Sequence, residues 1–297
     1  MPNPRFLQTA ERWMNKEAPV IKANPKTQTQ RDPTIPVAVG FPDNVDSSFI
    51  FSYDGQHKDF AQELIAKSNE LFSGTQAEIP TGKKGEVKNM YILKRLGLIT
   101  TLYNHAQLRS ANLYPITPAQ SEFLLKEGRL KNPSDNWEDL ALILYDRSES
   151  GENPQEARAL YEELSKHRQD LSLSKGDLEK KLIVVNVGIK RVEGMPYGVS
   201  PIVLPGLTYV YNHEVLDKVG EDSSFEGHGI KGGLPLIKQL GNGDRTLYMP
   251  DETEDIGLRV LCRNGDLYLY AWYRVLAYSY GGAGRVNFAP QGRASKK

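Results

Sequence analysis

The chain of 297 residues holds one cysteine, Cys262. That scarcity excludes an internal disulfide framework and any zinc site built on cysteines. An excess of either charge is missing as well, because 37 basic residues offset 37 acidic ones. A nucleic-acid binder that neutralises phosphates needs a positive surplus, so no nucleic-acid partner is expected. No apolar run approaches the roughly 20 residues that a helix needs to cross a bilayer, so no membrane insertion is expected. Residues 1 to 14 contain no apolar core of a secretory signal. The expectation is a chain folded inside a cell, which reaches the outside, if at all, by a route such as a virion.

Catalytic patterns are equally sparse. The five histidines (His57, His105, His167, His213, His228) form no H-E-x-x-H pair, since Asp217 stands where the second histidine would follow His213-Glu214. Gly82-Lys83-Lys84 fails as a phosphate loop: Ala77 occupies the position of the upstream glycine, and Lys84 that of the magnesium-binding Ser or Thr. No G-x-S-x-G is present. Gly227 to Gly232 matches G-x-G-x-x-G literally, but the acidic Glu221-Asp222 precedes it and Leu234-Pro235 follows, where a dinucleotide site needs a strand and then a helix. Asp251, Glu252, Glu254 and Asp255 form an acidic cluster that reads as a solvated loop, without the glycine-centred geometry of a calcium loop. An enzyme, metal- or nucleotide-dependent, with a site between Gly227–Gly233 and Asp251–Asp255, is therefore the alternative and not the first reading. No catalytic residue, metal site or cofactor is assigned.

What is present divides the chain into three parts. Residues 1–50 carry Pro2, Pro4, Pro19, Pro25, Pro33, Pro36 and Pro42 among polar residues. Each proline fixes φ and pushes its predecessor out of the helical region, so this is an extended arm, with a short edge strand at Ile35 to Val39. Residues 51–175 read as a helical layer. Its helices fall at Asp59–Phe72, at Val87–Leu113 with an interruption near Gly97, from a Thr117-Pro118-Ala119-Gln120 capping box to Gly128, from Ser134 or Asp135 through Leu144, and from Asn153-Pro154 to His167. Residues 176–297 turn β-rich. Leu182 to Ile189 is a β-branched strand, Pro201–Pro205 and Leu207–Tyr211 follow, and a glycine-rich loop runs from Gly220 to Gly233. Leu234–Leu240 and Thr246–Met249 then flank a turn at Gly241 to Asp244. The expected class is α+β, with a helical N-terminal part and a β-rich C-terminal domain.

The C-terminal stretch Gly265 to Tyr280 stands apart. From Asp266 to Trp272 residues alternate, with Leu267, Leu269 and Ala271 on one strand face and Asp266, Tyr268, Tyr270 and Trp272 on the other. Five tyrosines fall between Tyr268 and Tyr280, where about 0.7 would be expected from fifteen in the whole chain. Tyrosine and tryptophan give large, stiff contact area at low entropic cost, as binding surfaces require. An aromatic row also serves as a packing surface on a sheet. The leucines already supply one core face, so the expectation is that the aromatic face meets water.

The segment Leu258 to Pro290 resembles the variable region of the variable proteins encoded by diversity-generating retroelements. In that family the adenines of a template repeat are copied inaccurately, and residues reached from an AAC codon include Tyr, Asp, Ser, Gly, Cys and His besides Asn. Cys262, Asn264, Asp266, Tyr268, Tyr270, Tyr273, Tyr278 and Tyr280 fit such an origin, with Leu, Ala, Val and Arg as the unvaried frame. Trp272 would need an AGG or AAG template codon. The resemblance covers roughly the last forty residues. It implies a C-type-lectin-like fold for residues 176–297 and a binding role, commonly on a viral tail or a cell surface, without catalysis. The implied ligand site is Asn264, Asp266, Tyr268, Tyr270, Trp272, Tyr273, Tyr278 and Tyr280, facing an unknown protein or glycan. A third expectation is a structural subunit of a larger assembly, with the arm and the tyrosine face as contacts between subunits.

Overall fold

The structure is a computed structural model. It describes residues 41, 43–81, 85, 87–130, 137–147, 151–218, 220–226, 230–251, 256–273, 276–277 and 284–291. It is a mixed α+β protein with helices mostly within residues 58–166 and a β-rich C-terminal region. Among the described residues no helix is long and apolar enough to cross a membrane. The expected arm and its strand at 35–39 lie almost entirely outside the described residues.

Helix α1 (Lys58–Phe72) buries Ala61, Leu64, Ile65 and Phe72, the stripe that its periodicity predicts. Helix α2 (Ile92–Asn104) continues through Gly97, contrary to expectation. The break comes at His105, whose extended backbone (φ −115°, ψ 103°) separates α2 from α3 (Ala106–Ser110). Helix α4 (Pro118–Lys126) starts at the expected capping box: Thr117 Oγ1 accepts from the Gln120 N–H at 3.2 Å, and Gln120 Oε1 accepts from the Thr117 N–H at 3.0 Å. At α5 (Pro154–Lys166) the cap differs. Asn153 is left-handed and makes no side-chain cap. Its amide instead donates to the Leu258 carbonyl at 2.7 Å and accepts from the Tyr197 hydroxyl at 2.9 Å.

The main correction concerns Glu138–Leu144. Expected as the core of a helix, it is strand β3, the third strand of a curled seven-stranded sheet. All seven of its residues are buried. A strand covered on both faces reads as a continuous apolar run, which periodicity alone does not separate from a buried helix. Three-dimensional pairing decides: β3 lies between β4 (Leu182–Val185) and β12 (Leu258–Arg263), antiparallel to both.

The sheet order is β7-β4-β3-β12-β13-β11-β8, with β7 at Tyr209–Asn212, β13 at Leu269–Tyr273, β11 at Arg245–Tyr248 and β8 at Ser223–Phe225. Only the β11–β13 pair is parallel. The expected strand Leu182–Ile189 is two strands. Asn186 at φ +54° turns the chain from β4 into β5 (Gly188–Arg191), which pairs in a separate ribbon with β6 (Val199–Ile202). The glycine-rich stretch after Gly220 holds β8 and also β9 (Ile230–Lys231), the partner of β10 (Leu234–Pro235). A small third sheet joins β1 (Phe49–Ile50), β14 (Asn287–Pro290) and β2 (Leu113–Pro115).

The large sheet separates two apolar layers. Leu142, Leu144, Leu182, Val184, Leu258, Val260 and Cys262 belong to the layer shared with α1, α2 and α5. Ala141, Ile143, Ile183, Val185, Leu261, Leu269 and Ala271 belong to the other, with Phe225, Leu247 and Val215. The first layer contains side chains from both sides of residue 175, where a division was expected.

Glu156, in the first turn of α5, is buried, at 2% exposure. Burial pushes its carboxyl up to about 7, opposed only by its own backbone N–H. Because that value lies above the usual ~4.3 of an unfolded chain, the folded state holds the proton more tightly. The contribution is complete below about pH 4.3 and disappears as pH rises through about 7. Glu156→Gln should therefore be more stable than the parent at pH 8 and lose less stability between pH 5 and pH 8, as measured by urea unfolding at the two pH values.

Candidate functional site

Strands β12 and β13 form a hairpin with Cys262 opposite Tyr270 and Arg263 opposite Leu269. The turn between them runs from Asn264 to Tyr268. The Asn264 N–H donates to the Tyr268 carbonyl at 3.1 Å, and the Leu267 N–H to the Asn264 carbonyl at 2.9 Å. Side chains finish the turn. Asp266 Oδ1 accepts from the Tyr268 N–H at 3.1 Å, and Asn264 Oδ1 from the Gly265 N–H at 2.6 Å. Such local bonds are why Asn and Asp favour turns over ladders.

The expected strand Asp266–Trp272 thus begins three residues late, and Leu267 sits in the turn at φ +72°, half-buried. Leu269 and Ala271 take the expected core face, both at 0% exposure. Asp266 is exposed, while Asn264 and Tyr268 are half-buried.

Tyr270 departs from the expected open face. Its ring is 9% exposed and belongs to the helix-side layer. It is stacked between Trp137, at 6.0 Å and 26°, and Tyr248, at 4.7 Å and 21°. Its hydroxyl donates to Asp266 Oδ2 at 2.7 Å, so burial of the ring leaves the polar tip satisfied. Burial, reinforced by the Asp266 carboxylate, raises its phenol well above the ordinary value. Leu269 and Ala271 on the opposite face enter one core, and on this face the Trp137 and Tyr248 rings flank Tyr270 within a second apolar layer; that is the physical reason the ring is enclosed.

Tyr248 on β11, which lies outside the expected site, is half-buried beside this stack and meets Tyr268 edge-on at 5.9 Å. Its phenol is raised by burial first and then by the Asp222 and Asp266 carboxylates. The result is a three-ring patch, Tyr248, Tyr268 and Tyr270, bordered by carboxylate. Trp272 and Tyr273 lie on β13 by their backbone, with Tyr273 paired to Val260 across a bulge. Tyr278 and Tyr280 lie outside the described residues.

Beneath the hairpin is a buried polar network. The Glu138 carboxylate, 0% exposed, accepts from Arg263 Nη2 at 3.0 Å and Asn287 Nδ2 at 2.9 Å through Oε2. Through Oε1 it accepts from the Asn287 N–H at 2.7 Å and Arg95 Nη1 at 3.4 Å. Arg95 also donates to the Ile116 carbonyl, and Arg263 Nε to Ser121 Oγ at 3.3 Å. Asp139 accepts from the Ile92 N–H at 2.6 Å and from Trp137 Nε1 at 2.8 Å. Burial first of all raises the Asp139 carboxyl to about 7, against those donors. The same tryptophan that stacks on Tyr270 is therefore fixed at its indole N–H.

The enzyme alternative rests largely on residues outside the described ones. Gly227–Gly229 and residues 252–255 lie outside the described residues, and Asp251 is exposed. Gly232 (φ +62°) and Gly233 (φ +91°) have a packing reason: a Cβ there would stand 2.4 Å from Tyr211 and 2.0 Å from Pro118. Among the described residues no group of three or more His, Cys, Asp or Glu side chains is placed to hold a metal ion.

Comparison with protein-family models, with curated proteins and with solved structures finds no match in any of the three.

Sequence reasoning missed Tyr248, Trp137 and the network. One signal was legible: Glu138-Asp139 opening one apolar strand, and Arg259 and Arg263 within another, are charges in segments that should be buried. Removing Glu138 leaves two arginines enclosed without their shared carboxylate. Glu138→Ala should lower stability by roughly 3–5 kcal/mol in urea unfolding. Tyr268→Ser, which removes a half-exposed ring, should cost far less than Tyr270→Ser, which opens the stack.

Proposed function

We propose that this protein is a ligand- or receptor-binding protein whose C-terminal hairpin belongs to a surface diversified by a retroelement, within a C-type-lectin-like region. The observation that carries the reading is the match between the codon pattern and exposure. Asn264, Asp266 and Tyr268, all reachable from AAC, are open or half-open, whereas the frame residues Arg263, Leu269 and Ala271 are at 0% exposure. Cys262 and Tyr270 are reachable from the same codon and yet buried, so the match is not uniform. A rigid frame with open positions lets side chains change at little cost in stability, since surface changes away from special features usually stay within about 0.5 kcal/mol.

The ligand class is a protein or a glycan, because a half-exposed tyrosine such as Tyr268 offers both a flat apolar face and a hydroxyl. Net neutrality supports neither a nucleic-acid nor a membrane partner. Binding without catalysis is the role that the resemblance implies, on a viral tail or a cell surface.

Sequencing of the surrounding DNA tests the reading directly. The expected result is a near-identical copy of the stretch encoding residues 258–290, differing at adenines, beside a reverse-transcriptase gene. A locus with neither would overturn the retroelement origin. Protein-level support would be a thermal midpoint within a few degrees of the parent for Tyr268→Ser, whose ring is half-exposed; a collapse of the fold would show that position to be structural.

A further inference from the structure

The turn that carries Asn264, Asp266 and Tyr268 is held by a residue far from it in sequence. Arg245 opens β11, which runs parallel to β13 with Leu247 opposite Leu269. Its guanidinium engages the Glu122 carboxylate of α4 in a two-pronged pair, with Nη2 at 3.2 Å from Oε1 and Nη1 on Oε2. Nη2 also donates to the Leu267 carbonyl. The Phe225 ring lies 5.4 Å from the guanidinium carbon.

Each partner restricts the arginine. Glu122 is 1% exposed. Burial pushes its carboxyl up, and the charges of Arg245 and, after it, Arg263 draw it back. A planar fork with several donors serves a carboxylate and a carbonyl at once, which a lysine ammonium on a flexible stem does poorly. The carbonyl it reaches belongs to Leu267, at φ +72°. For a leucine the left-handed region is sterically unfavourable, so the turn needs support from outside itself.

We infer that Arg245, anchored by Glu122, is a positioning residue for the ligand face: it fixes the Leu267 carbonyl and with it the backbone on which Asn264, Asp266 and Tyr268 stand. The inference rests on the reading of that hairpin as part of the ligand face. Arg245 and Glu122 both lie outside Leu258–Pro290, so their hold on the backbone does not depend on which side chains occupy the varied positions. This one hold on the turn persists while its surface chemistry changes.

Amide hydrogen exchange on the full chain tests this without any ligand. Arg245→Lys keeps a charge facing Glu122 but lacks the second branch, and Arg245→Met removes both contacts. In each, the Leu267 and Asn264 amides should exchange about tenfold faster or more, the loss of one charge-assisted bond. Exchange in β12 from Leu258 to Leu261 should be unchanged. Adding Leu267→Gly to Arg245→Lys should restore most of the protection, because glycine adopts this conformation without cost. A purely structural role would not be rescued in that way. Unchanged turn amides in Arg245→Lys, protection lost evenly across the sheet, or failure of the glycine rescue would each overturn the inference. If Arg245→Met does not fold, the lysine variant and its rescue decide alone. Exchange reports on backbone only, so a turn that behaves as expected beside a locus without a template repeat would overturn the proposed function and leave Arg245 in its role.

Discussion

The structure depends on one enclosed carboxylate. Glu138 on β3 meets Arg95 from α2, Arg263 from β12 and Asn287 from β14, so one side chain joins a helix, two strands of the large sheet and the small sheet. Two guanidinium groups and a carboxylate removed from water are unfavourable unless each is satisfied, and any shift of one element leaves a buried charge unmatched. An apolar core tolerates small slips between layers; this cluster does not. Its members are 0–1% exposed, where the weak dielectric response makes both the pairing and its loss large.

That constraint bears on the candidate site because Arg263 is the last residue of β12 and Asn264 the first of the turn. The hairpin leaves the sheet from a point fixed by Glu138 and Ser121, and is held again at Leu267 by Arg245. Trp137, one residue before Glu138, supplies the ring under Tyr270, and its indole N–H is held by Asp139. Fixed residues therefore support the hairpin from three directions, and the exposed Asp266 stands above them. Binding surfaces gain when little motion has to be frozen on contact.

Much of the local structure was legible. Thr117-Pro118-Ala119-Gln120 specified its helix start because capping is a contact between residues three apart. The periodicity of residues 59–72 specified the buried stripe of α1. Glu138–Leu144 misled for a definable reason: seven buried residues show no period, and the choice between helix and strand fell to β4 and β12. Asn186 and Leu267 adopt positive φ, and neither is a glycine, so no turn was marked at either. Within the site, the alternation around Leu269 and Ala271 identified one core face correctly. It could not reveal that Trp137 and Tyr248 come together on the opposite face, which is what encloses Tyr270.

The sequence by itself determined the mixed class, the helix starts with local caps, the clustering of tyrosines near the C-terminus and the neutral balance of charge. These follow from composition and from contacts a few residues apart. Tertiary structure alone decided which tyrosine is buried, that Tyr248 joins the rings, and that Glu138 and Arg245 organise the hairpin. Those outcomes join residues that are distant in sequence, in the ion pairs by more than a hundred positions, as Glu138 with Arg263 and Glu122 with Arg245. Burial and ion pairing at that separation depend on how layers stack, and no local pattern encodes the stacking.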